Sequence, residues 1–215
     1  MGLCFSKKKT ILPHIPEPLE TISEDNIFEY HIQGTQTIVA PSLTATGLNI
    51  TLDETENDGV EYTQGITARS RSAFVIGTDA FYCKATIYVT DVSGADELAF
   101  GFRTAEAYQA DIDDYNNMAV LNIISGDIYI EDIDDNGTTD STDTTDNLAD
   151  TTAVTLAVYV SAAGAVTYTI DGEAPSTTDA HTWDDGDTVI PFLFLLNDAN
   201  VAESTILQLW ECGLQ

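Results

Sequence analysis

The sequence predicts an all-β sandwich, and three observations carry that expectation. Segments in which apolar and polar residues alternate follow one another from Phe81 to the C-terminus. Short turns rich in Gly, Asn, Asp and Ser separate them, and only residues 105–113 read as a helical turn. With 215 residues, 43% of them hydrophobic, the chain can bury one sizeable core.

Residues 1–35 read as an extended arm. Pro13, Pro16 and Pro18 deny it a helix, and residues 27–32 form a first short strand before Gly34. The sandwich is expected over residues 36–215. Residues 37–40 start it and stop at Pro41. Residues 48–52 alternate cleanly, and Asn57-Asp58-Gly59 turns the chain into 60–63. Residues 81–90 are the best strand: Phe81, Cys83, Ala85, Ile87 and Val89 fall on one face, Tyr82, Lys84, Thr86, Tyr88 and Thr90 on the other. Residues 98–103 place Leu98, Phe100 and Phe102 inward. Residues 118–124 and 128–133 flank a Ser-Gly-Asp hairpin, and 154–160 and 166–170 flank a second one. Residues 189–196 are almost continuously apolar, which marks a central strand buried on both faces. Residues 205–211 close the chain. The sum is roughly ten to twelve strands with short connections, a sandwich rather than an α/β fold.

Charge is unevenly placed. Seven Lys and Arg stand against 36 Asp and Glu, a formal net charge of −29. Such a field repels nucleic acid and favours solubility, cations and basic partners. Lys7, Lys8 and Lys9 nevertheless sit in the arm, and no acid precedes Glu17. That asymmetry marks an interaction tail. Lys7, Lys8 and Lys9, with the apolar Leu12, Ile15 and Leu19, are expected to dock on an acidic or grooved neighbour, or in a groove on the chain's own body. The start Met1-Gly2-Leu3-Cys4-Phe5-Ser6 also fits N-myristoylation at Gly2 with palmitoylation at Cys4, the lysines supplying a basic second signal. No apolar h-region of a signal peptide is present at this start, and no 18-residue apolar run spans a membrane. Cys4, Cys83 and Cys212 give no paired framework. Cys83 reads as a small buried hydrophobe; Cys212 lies near the end of the last strand, and a bridge between the two is open but unsupported by the spacing.

Three constellations bear on chemistry. Residues 132–143 match the spacing of a calcium loop, with Asp132, Asp134, Asn136, Thr138, Asp140 and Asp143 as ligands and Gly137 at the sharp turn. Position twelve is an Asp with shorter reach than Glu, and the flanks are not helices; the bland reading is an acidic hairpin loop turning at Asp135-Asn136-Gly137 and running to Asp150. A glycosidase needs two carboxylates on one strand face. Here Glu131 shares its face with Ile133, and Asp132 with Asp134, so the motif is broken. His14, His31 and His181 lie near no nucleophile motif and read as scattered surface residues. Tyr82, Tyr88 and Trp183 are the aromatic rings placed to face a glycan; the bland alternative is that such rings cover the outer sheet or an oligomer contact.

From about Leu48 onward the order of strands resembles the concanavalin-like jelly roll of the LamG and legume-lectin type. The residues that carry this are the strand 81–90, the strand 98–103, the hairpin 118–133, then Val154-Thr155-Leu156-Ala157-Val158 and Val166-Thr167-Tyr168-Thr169-Ile170-Asp171-Gly172. Within that class, Asp91-Val92-Ser93-Gly94, Gly101-Phe102-Arg103 and 187–194 are similar to structural proteins of tailed bacteriophages. The phage resemblance implies a non-enzymatic capsid decoration protein on the virion surface, homo-oligomeric and tethered by its arm to the major capsid protein or another virion protein. The lectin resemblance implies a calcium-dependent carbohydrate-binding adhesion module. A lipid-anchored peripheral membrane protein is the third expectation.

Overall fold

The computed structural model describes residues 10–11, 28–35, 42–53, 55–67, 70, 72–197 and 204–215. Fifteen strands follow in chain order: β1 Thr10–Ile11, β2 Glu29–Gln33, β3 Ser42–Thr44, β4 Gly47–Thr51, β5 Gly59–Thr63, β6 Phe74–Val75, β7 Phe81–Val89, β8 Ala95–Thr104, β9 Met118–Ile124, β10 Asp127–Ile133, β11 Asp140–Asn147, β12 Thr152–Val160, β13 Val166–Ile170, β14 Thr188–Asn197 and β15 Ser204–Leu214. They build two antiparallel sheets. The seven-stranded sheet runs β13-β12-β7-β15-β4-β3, with β1 added beside β15. The eight-stranded sheet runs β11-β10-β9-β8-β14-β5-β2, with β6 added beside β14. This is the concanavalin-like jelly-roll sandwich. No helix among the described residues is long and apolar enough to cross a membrane.

The alternation read in residues 81–90 sets the core. Phe81, Cys83, Ala85, Ile87 and Val89 are all buried between the sheets. Leu98, Phe100 and Phe102 of β8 meet them from the other side, with Leu121 and Ile123 of β9 and Leu193 and Leu195 of β14. β14 is buried on both faces, as its apolar run predicts. Pro191 stands inside it without an N–H to give. The sheet absorbs this because β6 pairs with β14 at residues 188–189 and β5 only from Phe192, so Pro191 falls between the two partners.

Three expectations change. The sandwich starts before residue 36: Phe28 packs edge-on against Trp210 at 4.9 Å between ring centroids, and β2 is the edge strand beside β5. β1, inside the expected arm, pairs Thr10 with Glu211 and Ile11 with Trp210, so this part of the arm is bonded to the chain's own body. Lys7, Lys8, Lys9, Leu12, Ile15, Leu19 and His14 lie outside the described residues, as does the strand expected at 37–40. The low-complexity stretch after residue 139 is not a loop but β11, an edge strand of Thr and Asp. Its polar faces gave no apolar alternation to read, and charge on an edge strand protects it from pairing with other chains.

Candidate functional site

The outer face of the eight-stranded sheet is built in registered rows. One row runs His31, Glu61, Phe194, Ala99, Asn122, Tyr129, Asp143 across β2, β5, β14, β8, β9, β10 and β11. The next runs Glu29, Thr63, Phe192, Gly101, Val120, Glu131, Ser141. The middle of both rows is apolar and is covered by the chain itself. Residues 105–117, between β8 and β9, cross this face and press Ile112 and Tyr115 onto Ala99, Met118, Val120, Phe192 and Phe194 as a second small core. Of the helical turn expected at 105–113, only a short 3-10 turn at Ile112–Asp114 forms.

Polar contacts hold this cover at both margins. The Gln33 amide donates to the Gln109 carbonyl at 2.6 Å on one side, and Thr139 donates to Asp113 at 2.6 Å on the other. At its neck, Asn116 donates through its backbone N–H and its amide to Glu106, at 2.9 and 2.7 Å.

Two carboxylates are buried beneath the cover. Glu61 accepts from Arg103 Nε at 2.8 Å and from the Tyr115 hydroxyl, and Arg103 Nη2 stands 2.8 Å from the same carboxylate as an ion pair. Arg103 is wholly buried, spends Nη1 on the carbonyls of Thr104 and Glu106, and lies 4.3 Å from the Tyr115 ring centroid. Burial pushes the Glu61 carboxyl up; Arg103 and the Tyr115 hydrogen bond pull it down. Glu131 is held by neutral donors: it accepts from the Asn122 amide at 2.8 Å and from Ser141 at 2.9 Å. Burial raises its pKa, and the nearby charges of Asp113 and Asp111 raise it further. Four strand spacings separate the backbones that carry the two carboxylates, about 19 Å. Glycoside hydrolysis needs its two carboxylates about 5 to 9.5 Å apart, so these two do not form such a pair.

What the cover leaves open lies at the margins. On the β2 side, exposed His31 stacks on Tyr108, 4.7 Å between centroids and 8° from parallel; burial holds the Tyr108 hydroxyl up at about 12. On the β10–β11 side, half-buried Tyr129 stands in register between Asn122 and exposed Asp143. Exposed Ser141 lies opposite Glu131 in the next row, and the charge of exposed Asp113 of the cover reaches Glu131.

The structure does not gather the expected calcium ligands. Residues 132–143 are a hairpin: Asp132 on β10 lies opposite Asp140 on β11, and Tyr129 opposite Asp143. Asp134 and Asn136 sit in the exposed turn, where Gly137 N–H donates to the Asp134 carbonyl at 2.8 Å; Thr138 follows them, exposed. Strand alternation sends Asp132 inward and Asp143 outward, so the first and last ligands lie on opposite faces of the sheet. Among the described residues no group of three or more His, Cys, Asp or Glu is arranged to hold a metal ion.

Trp183 and His181 also differ from expectation. Trp183 is 2% exposed and belongs to the core. Residues 181–183 extend beside β13: Val166 N–H donates to the His181 carbonyl, Trp183 N–H to the Gly164 carbonyl, and Ala165 bridges Thr182. Alternation therefore turns Thr182 out and His181 and Trp183 in. His181 Nδ1 lies 3.2 Å from Asp132, and Thr142 donates to Asp179 at 2.8 Å, so this segment closes the open edge between the two sheets. Tyr82 is buried too. It stacks on Tyr159 and donates to Glu211. Tyr88 is half-buried on the outer face of the seven-stranded sheet, opposite Ala153 and Ile206. The Asp184–Asp187 cluster is a turn, as read from the sequence, closed by Asp187 N–H on the Asp184 carbonyl.

No protein-family model matches the chain, and no curated protein matches it in sequence. Solved structures do match its fold. The carbohydrate recognition domain of Emp46p aligns with a TM-score of 0.63 over 98% of this chain and 98% of that one, at 13% identity. That of Emp47p aligns at 0.61 over 99% of each, at 14% identity. An alginate lyase from Pseudomonas aeruginosa aligns at 0.56 over 83% of this chain and 87% of that one, at 13% identity. The Emp46p domain is also known in metal-free and potassium-bound forms. The chain thus has the concanavalin A-like jelly-roll fold, and its structural neighbours include carbohydrate recognition domains.

Proposed function

We propose that this chain is a non-catalytic carbohydrate-binding module, and that glycan is held on the β10–β11 margin beside the cover. The observation that carries this is Tyr129: a half-exposed ring on a rigid sheet, in register with exposed Asp143, with exposed Ser141 in the next row of the same edge strand. A pyranose stacks its C–H face on such a ring while its hydroxyls meet the surrounding oxygens. The whole-length likeness to the Emp46p and Emp47p domains supports the reading. The roughly 19 Å between the backbones of Glu61 and Glu131 speaks against two-carboxylate hydrolysis. A net charge of −29 favours neutral sugars over polyuronates such as alginate. Since residues 132–143 do not gather ligands, binding is expected to persist in chelator.

A glycan array of the full chain, with and without EDTA, tests this. Neutral glycans should bind in both arms, and Tyr129→Ala should lose them. Silence in both arms, or unchanged binding by Tyr129→Ala, overturns the reading. The virion tether expected from the arm finds no support in the comparisons, and β1 is bonded to the chain's own β15.

A further inference from the structure

We propose that Cys83 and Cys212 form a built-in cross-strand disulfide site in the core, closed under oxidising conditions and open as two thiols under reducing ones. The inference is independent of the glycan reading. Register carries it. β15 lies antiparallel to β7 with Cys212 directly opposite Cys83. The Gln215 N–H donates to the Ala80 carbonyl at 2.9 Å, which makes that pair, three positions further along the same ladder, a hydrogen-bonded one. Pairs alternate along an antiparallel ladder, so Phe81–Leu214 is non-bonded, Tyr82–Gly213 bonded and Cys83–Cys212 non-bonded. Non-bonded pairs bring their Cα atoms to about 4.5 Å with the side chains close together. That falls within the roughly 4.4 to 6.8 Å that a disulfide spans.

Both side chains point the same way. Cys83 and Cys212 are each 0% exposed and share one core cluster. Burial raises the Cys83 thiol, and the neighbouring Cys212 raises it further, which places the two sulfurs within each other's field. Cys212 Sγ donates to the Ser72 hydroxyl at 3.2 Å, and Ser72 in turn donates to the Gln64 side-chain carbonyl. Losing the thiol hydrogen therefore leaves Ser72 bonded.

The oxidant is a small disulfide such as oxidised glutathione. One cysteine thiolate attacks it, forming a mixed disulfide and expelling one glutathione thiolate. The second cysteine thiolate attacks the protein sulfur of that mixed disulfide and expels the other. Two thiols become one disulfide, oxidised glutathione becomes two reduced glutathiones, and the two protons pass to them. Buried thiols with raised pKa values exchange slowly, so closure belongs to folding or to transient opening. The bridge would enclose more than half of the chain, where a crosslink restricts the unfolded state most.

The test refolds the full chain carrying Cys4→Ser, from the reduced unfolded state, in glutathione redox buffer. Remaining thiols are then trapped with N-ethylmaleimide in denaturant and the peptides mapped. The expected result is a chain two hydrogens lighter, with no maleimide, one peptide joining Cys83 to Cys212, and a thermal midpoint roughly 10 °C above the reduced protein. Cys212→Ser should lose both the bridge and the redox dependence of the midpoint; should it fail to fold, Cys83→Ala serves the same purpose. Two maleimides per folded chain in oxidised buffer overturn the proposal, and so does a bridge that lowers the midpoint.

Discussion

Glu61 and Glu131 share one face of one sheet and are both nearly out of reach of water, yet they are solvated by the protein in different ways. Glu61 faces a buried guanidinium and a tyrosine hydroxyl. Glu131 faces a neutral amide and a serine hydroxyl. A buried charge is tolerated when an opposite charge and hydrogen bonds replace water, and removing one partner strands the other. A buried carboxylate held only by neutral donors gives up free energy to stay ionised. The same substitution should therefore have opposite signs at the two sites.

The largest effect is expected at the charged pair. Glu61→Gln leaves Arg103 buried without its counter-charge and should cost about 3–5 kcal/mol in urea unfolding. Glu61→Met combined with Arg103→Met should recover most of that loss, because no charge is then stranded. Tyr115→Phe keeps the ring over Arg103 and removes the hydroxyl that donates to Glu61 and accepts from the Gln109 N–H; a loss of about 2 kcal/mol is expected.

Glu131→Gln sharpens the comparison through pH. The carboxyl pKa of Glu131 is raised above the ordinary value of 4.5. Between 4.5 and that raised value, the folded state binds the proton more tightly than the unfolded one. Wild-type stability should therefore fall as pH rises through this window. The glutamine cannot titrate and lacks this slope. It should be more stable than wild type by about 1 kcal/mol at pH 7 and lose that advantage near pH 4, read from paired urea curves. A constant difference across pH would contradict the account of Glu131. The smallest stability effect is expected for half-buried Tyr129→Ala, about 1 kcal/mol or less, although its loss of glycan binding should be complete.

What the sequence revealed divides along the same physical line. β7 and β14 were legible because burial of one face, or of both, writes itself as alternation or as an unbroken apolar run. Glu131 and Asp132 were read onto opposite faces, and they point there, to Ser141 and to His181. β11 was not legible, because a polar edge strand of Thr and Asp carries no apolar period. Its residues matched a calcium spacing that depends on a loop, and a strand pulls the same letters apart. Trp183 read as a loop aromatic until Ala165 and Thr182 bridged and fixed its parity. The Glu61–Arg103 pair spans 42 positions, and no local pattern announces a partner that only sheet topology supplies. The cover over the face was invisible for the same reason: Ile112 and Tyr115 are two apolar residues among acids, and their target is assembled from β8, β9, β10 and β14.

The most direct test of the central claim is to map where sugar lands. Neutral mannose-, glucose- and galactose-terminated oligosaccharides would be titrated into the isotope-labelled full chain, and amide shifts followed by NMR. Perturbations should gather at Tyr129, Ser141, Asp143 and Asp113, with the buried Glu61–Arg103 pair undisturbed. Shifts gathered instead around Tyr82 and Tyr88 on the opposite sheet, or none with any of these sugars, would contradict the assignment of this margin as the binding face.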